Sequence, residues 1–90
     1  MNAYISFRML GFKKHYEQND CVLVWEKKDD YEEYRITFSL VGGPIWISYR
    51  YRYDDNLEWQ ERSGVNVDIK LLKAIIKQRN EIKRWGKFAW

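Results

Sequence analysis

The sequence predicts an α+β domain in which an antiparallel β-sheet of three to five strands packs on a C-terminal α-helix. Three observations predict this fold: a helical apolar period over residues 68–86, alternating apolar and polar residues over 33–53, and a turn signal at 42–44. At 90 residues the chain is long enough for one hydrophobic core. We therefore expect a single domain over residues 1–90.

The N-terminal segment is compatible with two structures. Asn2 can cap a short helix that Gly11 ends, and Phe7 and Leu10 have the spacing of one helical face. The apolar side chains at every second position from 5 to 9 also fit a strand. The ending Leu10-Gly11-Phe12 is typical of a helix stop, so a short helix is favoured.

Five segments between residues 13 and 61 fit strands: 13–17, 21–25, 33–41, 45–53 and 57–61. Polar, charged or glycine-rich turns separate them, and Gly42-Gly43-Pro44 is typical of a tight hairpin connection. In the third and fourth segments, alternate residues are apolar. The residues expected to form the apolar surface of the sheet are Ile36, Phe38, Leu40, Ile45, Ile47 and Tyr49.

Residues 68–86 are predicted to form the C-terminal helix. Asp68 suits the N-cap because its carboxylate can accept from free amides of the first turn, and Gly86 suits a left-handed C-terminal cap. At about 100° per residue, one side carries the residues expected to cover the sheet: Leu71, Leu72, Ile75, Ile82 and Trp85. The other side carries a basic ridge, defined as Lys70, Lys73, Lys77 and Arg84.

Charge is distributed unevenly along the chain, whose formal net charge is +3. Residues 66–90 carry seven Lys or Arg and two acids, whereas the first 65 residues carry nine basic and eleven acidic side chains. No apolar run reaches the ~18 residues that span a bilayer, and no signal-peptide pattern opens the chain. Cys21 has no second cysteine to pair with. We expect a cytoplasmic protein.

Enzymatic and metal chemistry are disfavoured. His15 and Cys21 are the single residues of their types and lack the close spacing of metal ligands, so neither a metal nor a cofactor is expected. Cys21 opens an apolar segment and is interpreted as a small core residue, not as a nucleophile. Paired carboxylates such as Asp54-Asp55 lie in turn-like segments, where solvated charge is the usual state.

Nucleic-acid binding is one function that the pattern favours. On the sheet face away from the helix, a ring and three cations would form a patch: Trp46, Arg35, Arg50 and Arg52. Nucleic-acid-binding sheets stack bases on aromatic rings flanked by basic groups. The basic ridge offers a second surface for phosphates.

Protein binding is the other function that the composition favours, because the chain has more rings than a small core encloses. Trp, Tyr and Arg are also the residues that dominate interface hot spots. The rings in question are Tyr51, Tyr53, Trp46, Trp59, Trp85, Phe88 and Trp90. The sequence thus predicts a protein partner or self-association, with residues 85–90 either docked on the sheet or in contact with another subunit.

The order of the elements resembles that of a group of small, mostly uncharacterised proteins encoded by phages and prophages of Gram-positive bacteria. The matching segments are Leu10-Gly11-Phe12, Trp25-Glu26-Lys27-Lys28, Ile36-Thr37-Phe38 and Leu72-Lys73-Ala74-Ile75-Ile76-Lys77-Gln78. Two features depart from that group: Lys70 and Leu71 replace a frequent Glu, and a tail follows Gly86.

The resemblance implies a non-enzymatic phage accessory protein that binds a host macromolecule in the bacterial cytoplasm. Proteins of this kind take over host processes or block host defence, as an anti-CRISPR does. The alternative is a small nucleic-acid-binding protein that uses the Trp46 face or the basic ridge.

Overall fold

The computed structural model describes residues 2–17, 21–62 and 64–84. Each strand pairs antiparallel with the next, so that the five strands form one open sheet in chain order. The predicted α+β fold is confirmed. Its elements are α1 (Ala3–Met9), β1 (Lys13–Glu17), β2 (Val22–Lys28), β3 (Glu32–Ser39), β4 (Ile45–Tyr51), β5 (Gln60–Arg62) and α2 (Ile69–Arg84).

Helix α1 confirms the preference for a helix at the N-terminus. The Asn2 side chain accepts a hydrogen bond from the backbone N–H of Ile5 at 2.9 Å and so caps the first turn. At the other end Gly11 takes φ +89°, a conformation that glycine adopts without steric cost. The amide of Phe12 then bonds the carbonyl of Phe7 at 3.0 Å, which closes the helix in a Schellman turn.

The two central hairpins follow from their turn residues. Asp29 Oδ1 accepts from the amides of Tyr31 and Glu32, both at 2.8 Å, and this side-chain turn reverses the chain between β2 and β3. Between β3 and β4, Gly42 and Gly43 have φ of +92° and +118°, which explains the glycine pair.

The core lies between one face of the sheet and the two helices. The register pairs Leu23 with Phe38 and Trp25 with Ile36, and all four side chains point to the helix side. The ring of Phe7 in α1 stacks on Trp25 with centroids 4.7 Å apart. The buried cluster consists of Phe7, Phe12, Leu23, Trp25, Ile36, Phe38, Leu40, Leu71, Ala74, Ile75 and Ile82.

Helix α2 covers the sheet as predicted, but its buried face is rotated from the expected one. Asp68 does cap the helix, because its Oδ1 accepts from the amide of Leu71 at 2.8 Å. Leu72, expected in the core, is 43 % exposed, whereas Ala74 and Gln78 are buried. The buried positions repeat every three or four residues from Leu71, and position 72 lies about 100° away from that line. The predicted core residue Trp85 and cap Gly86 lie outside the described residues.

Cys21 is also not the core residue that the sequence suggested. Its side chain is exposed, and it precedes β2 with a φ of +51°. That left-handed conformation interrupts the extended backbone, so the inward-facing residues of the strand begin at Leu23. Strand β2 also extends to Lys28, beyond the predicted end at residue 25.

Across the described ranges, neither helix has the length and apolar composition needed to cross a membrane.

Candidate functional site

The residues predicted to form a patch share the open face of the sheet but are spread along it, because Trp46 and Arg50 are four residues apart on β4, or roughly 13 Å at about 3.3 Å per residue. The register places Arg35 opposite Ser48, Thr37 opposite Trp46, and Glu33 opposite Arg50, all on the face away from the helices. Trp46 is 53 % exposed there. Arg52 follows the end of β4 at the same edge of the patch.

Carboxylates, however, lie beside these arginines. Arg50 Nη2 is 2.8 Å from Glu33 Oε2, and Lys28 Nζ is 3.5 Å from the same oxygen. Arg35 Nη2 is 3.1 Å from Glu26 Oε1. Positive and negative side chains therefore alternate from strand to strand, and the two carboxylates offset part of the positive charge of the open face.

Glu33 lies at the centre of this charge pattern, because both Lys28 and Arg50 contact its carboxylate. Its side chain is also buried. Burial alone would raise the pKa of Glu33, but the hydrogen bond and charge of Arg50, with the charge of Lys28, outweigh it. The pKa of Glu33 is therefore held below its usual value. The carboxylate is ionised at neutral pH and fixes the position of Arg50.

The ring of Trp59 packs over three cations of the open face. Its ring centroid lies 5.5 Å from Lys28 Nζ, 4.9 Å from Arg50 Cζ and 4.6 Å from Arg52 Cζ. Arg52 also donates through Nε to the carbonyl of Asp30 at 2.7 Å. Arg50 and Arg52 are thus held within the protein by a ring, a carboxylate and a carbonyl.

The remaining predicted site residues fall in two other places. Three lysines of the basic ridge, Lys70, Lys73 and Lys77, line a groove between α1 and α2. Arg84 lies at the far end of α2, beside Asn2 and Asn80. The predicted binding residues of the tail, Trp85, Phe88 and Trp90, lie outside the described residues.

A further surface lies on the helix side of the sheet, at the end of β4; the sequence named Tyr51 and Tyr53 among the surplus rings but did not group them with Tyr34 and Tyr49. Here the tyrosine cluster, defined as Tyr34, Tyr49, Tyr51 and Tyr53, forms a continuous chain of rings. Successive centroids are 4.6, 6.1 and 5.4 Å apart. Tyr49, expected in the apolar surface under the helix, belongs to this cluster and not to the buried core.

Three rings of the cluster, Tyr49, Tyr51 and Tyr53, border an open groove of about 700 Å³, which we call the tyrosine groove. Tyr53 is 79 % exposed and Tyr31 is 49 % exposed at its rim. The full lining is Tyr31, Glu32, Tyr49, Tyr51, Arg52, Tyr53 and Arg62. Large rings, hydroxyl groups and both signs of charge therefore meet in one concave surface.

One hydroxyl in the groove is held by a specific hydrogen bond. Tyr49 Oη donates to Glu32 Oε1 at 3.0 Å. Desolvation, with the hydrogen bond and charge of Glu32, raises the pKa of Tyr49 to about 12. Tyr49 is therefore a neutral phenol at physiological pH, and its hydroxyl is held towards Glu32.

A signal for the cluster was present in the sequence. The inward positions of β4 and its continuation are Ile45, Ile47, Tyr49, Tyr51 and Tyr53. The change from isoleucine to tyrosine marks where the strand leaves the cover of the helices, since tyrosine keeps a polar tip for water. The alternation of apolar and polar residues alone does not distinguish the isoleucine half of this strand, under the helices, from the tyrosine half beyond them.

No group of three or more His, Cys, Asp or Glu side chains that could hold a metal occurs in the described part of the chain. No family model, no curated protein and no solved structure matches this chain.

Proposed function

We propose that this chain is a non-enzymatic accessory protein that acts by binding another protein through the tyrosine groove. The observation that supports this most is the position of Tyr49, Tyr51 and Tyr53. They pack on one another and border an open groove instead of filling the core. Tyrosine gives a large, rigid contact area with few rotatable bonds and a hydroxyl for hydrogen bonding, which is why binding surfaces use it.

The proposal extends to a phage or prophage origin and to a host partner. This part rests on the resemblance carried by segments such as Leu10-Gly11-Phe12 and Trp25-Glu26-Lys27-Lys28. A small protein without catalytic groups can still redirect a host process, because occupying a host surface needs only an interface.

Protein binding through the tyrosine groove is better supported than nucleic-acid binding through the open face of the sheet. Affinity for nucleic acid comes chiefly from cations that pair with phosphates and release counterions. Arg50 already pairs with Glu33, and Arg35 with Glu26. Trp59 further covers Arg50 and Arg52. A phosphate at this face would have to displace these contacts.

Capture from a Gram-positive host lysate with the tagged chain tests the class of partner. We expect one protein to be retained in comparable amounts with and without nuclease treatment. Material that disappears after nuclease treatment would refute a protein partner. Sedimentation of the purified chain over a concentration series tests the alternative of self-association, which a rise in mass with concentration would show.

A further inference from the structure

The groove between α1 and α2 has an apolar floor. Met9 is 72 % exposed at its edge, Leu10 is half-buried, and the methyl group of Ala74 is buried beneath them. The groove has a volume of about 260 Å³. It has room for one or two aliphatic side chains of a partner, and none of its lining residues is aromatic.

The rim of this groove is cationic. Lys70, Lys73 and Lys77 recur at one face of α2, and a rise of about 1.5 Å per residue spreads them over roughly 10 Å. Lys77 Nζ lies 3.4 Å from Ser6 Oγ, so α1 forms the other wall. No carboxylate is among the described residues that line the groove.

The surrounding helices strengthen this charge. Helix α2 carries six basic side chains, Lys70, Lys73, Lys77, Arg79, Lys83 and Arg84, and one acid, Glu81. Helix α1 contributes Arg8 and no acid. The carboxylate of Glu81 accepts from the amide of Ala3 at 3.2 Å and so serves the N-terminus of α1. The charge of the helix layer is therefore complementary to an anionic partner.

We propose that the α1–α2 groove docks an acidic amphipathic segment of a partner protein. Carboxylates spaced three or four residues apart on the segment would pair with Lys70, Lys73 and Lys77. An aliphatic side chain between them would contact Met9 and Leu10, as an amphipathic helix does in a hydrophobic groove. This surface is separate from the tyrosine groove, so the inference does not depend on the function proposed above.

The lining residues favour a peptide over nucleic acid. Base recognition uses aromatic platforms and planar arginine forks, whereas this groove offers lysines and aliphatic groups. An apolar floor gives no advantage to a phosphate backbone, but it stabilises a leucine or isoleucine by removing it from water.

The test uses a fluorescent peptide of about 15 residues with Glu at every third or fourth position and Leu on the adjacent stripe. Controls are a scrambled peptide of the same composition and a single-stranded oligonucleotide. At ~0.15 M salt, charges beyond about 8 Å are largely screened. We therefore expect the pair Lys70→Glu and Lys73→Glu to weaken binding of the patterned peptide by about tenfold. Met9→Gln should weaken it severalfold.

The matched control pair, Arg79→Glu and Lys83→Glu, makes the same charge change on another side of α2 and should have a much smaller effect. Three results would overturn the proposal: equal binding of the scrambled peptide, equal losses in the two pairs, or no binding of the patterned peptide up to about 1 mM. Tighter binding of the oligonucleotide, lost in the Lys70 and Lys73 pair, would assign the groove to nucleic acid instead.

Discussion

The indole Nε1 of Trp25 donates a hydrogen bond to Oε1 of Gln78 at 3.0 Å, and both side chains are buried. The bond joins the middle of β2 to α2 across the core. Because water does not reach this point, each polar group depends on the other for its hydrogen bond. The pair explains why a glutamine occupies a core position on an otherwise apolar helix face.

Gln78→Leu is expected to lower the free energy of unfolding by about 1–3 kcal/mol, because the Trp25 donor stays buried without an acceptor. Adding Trp25→Phe removes that donor, so the double variant should lose less than the sum of the two single losses. Urea denaturation of the full cycle measures this. Asn80→Leu, exposed on the same helix, is the control, and a Gln78→Leu variant as stable as the parent would contradict the account.

The neighbours Ile75 and Ile76 test the rotation of α2. Ile75 is 6 % exposed and Ile76 is 43 % exposed, so Ile75→Asp should abolish cooperative thermal melting and Ile76→Asp should preserve it. Phe38→Asp, on the opposite side of the core, should behave as Ile75→Asp does. Normal melting of Ile75→Asp would show that α2 does not cover the sheet with this face.

Local signals were enough to predict the fold class. The Asn2 and Asp68 caps, the Gly11 stop and the glycine pair in the β3–β4 turn act within a few residues, so sequence spacing reveals them. The rotation of α2 was predicted less well. Hydrophobicity alone favours Leu72 over Ala74 as a core residue. The observed rotation of the helix buries Ala74 together with Gln78, and Gln78 finds its hydrogen-bond partner in Trp25, 53 positions away. The spacing of apolar residues within the helix does not show this long-range contact.

The candidate site was likewise predicted in part: the sequence showed which face its residues lie on, but not which residues pair. Alternation correctly placed Trp46, Arg35 and Arg50 on one face. It could not show that Glu33 lies opposite Arg50, because the pairing is set by the register of two strands. Predicting the tyrosine cluster requires the position at which the helices stop covering β4. That position depends on how the helices pack on the sheet.

Acid stability tests the Glu33 contacts. The pKa of Glu33 is below its ordinary value of 4.5, so its contribution to stability is present above that pH and is lost as the pH falls through the lowered pKa. Glu33→Gln should therefore reduce stability near neutral pH. It should also make the decrease of stability with falling pH less steep below about pH 4.5. Urea midpoints over a pH series measure this. Glu58→Gln, at an exposed position, should retain the parent's acid profile, and an identical profile for Glu33→Gln would refute the account.

Alkaline titration tests the Tyr49 hydrogen bond. Because the pKa of Tyr49 is raised to about 12, its contribution to stability is present below about pH 10 and is lost as the pH rises towards 12. Tyrosinate absorbance should show a late-titrating phase to which Tyr34 also contributes, because burial raises its pKa, and Tyr49→Phe should remove one tyrosine from that phase. Tyr53→Phe should leave that late phase in place. A late phase of unchanged amplitude in Tyr49→Phe would mean that Glu32 does not hold this hydroxyl.

The affinity of the purified chain for the protein that it captures tests the central claim most directly. Replacing Tyr51 and Tyr53 together by serine should weaken that affinity by at least about thirtyfold, as loss of a hot spot of roughly 2 kcal/mol does. Trp46→Ser, an exposed ring on the opposite face, is the matched control and should leave it unchanged. Unchanged affinity in the tyrosine variant, or a comparable loss in Trp46→Ser, would contradict binding through the tyrosine groove.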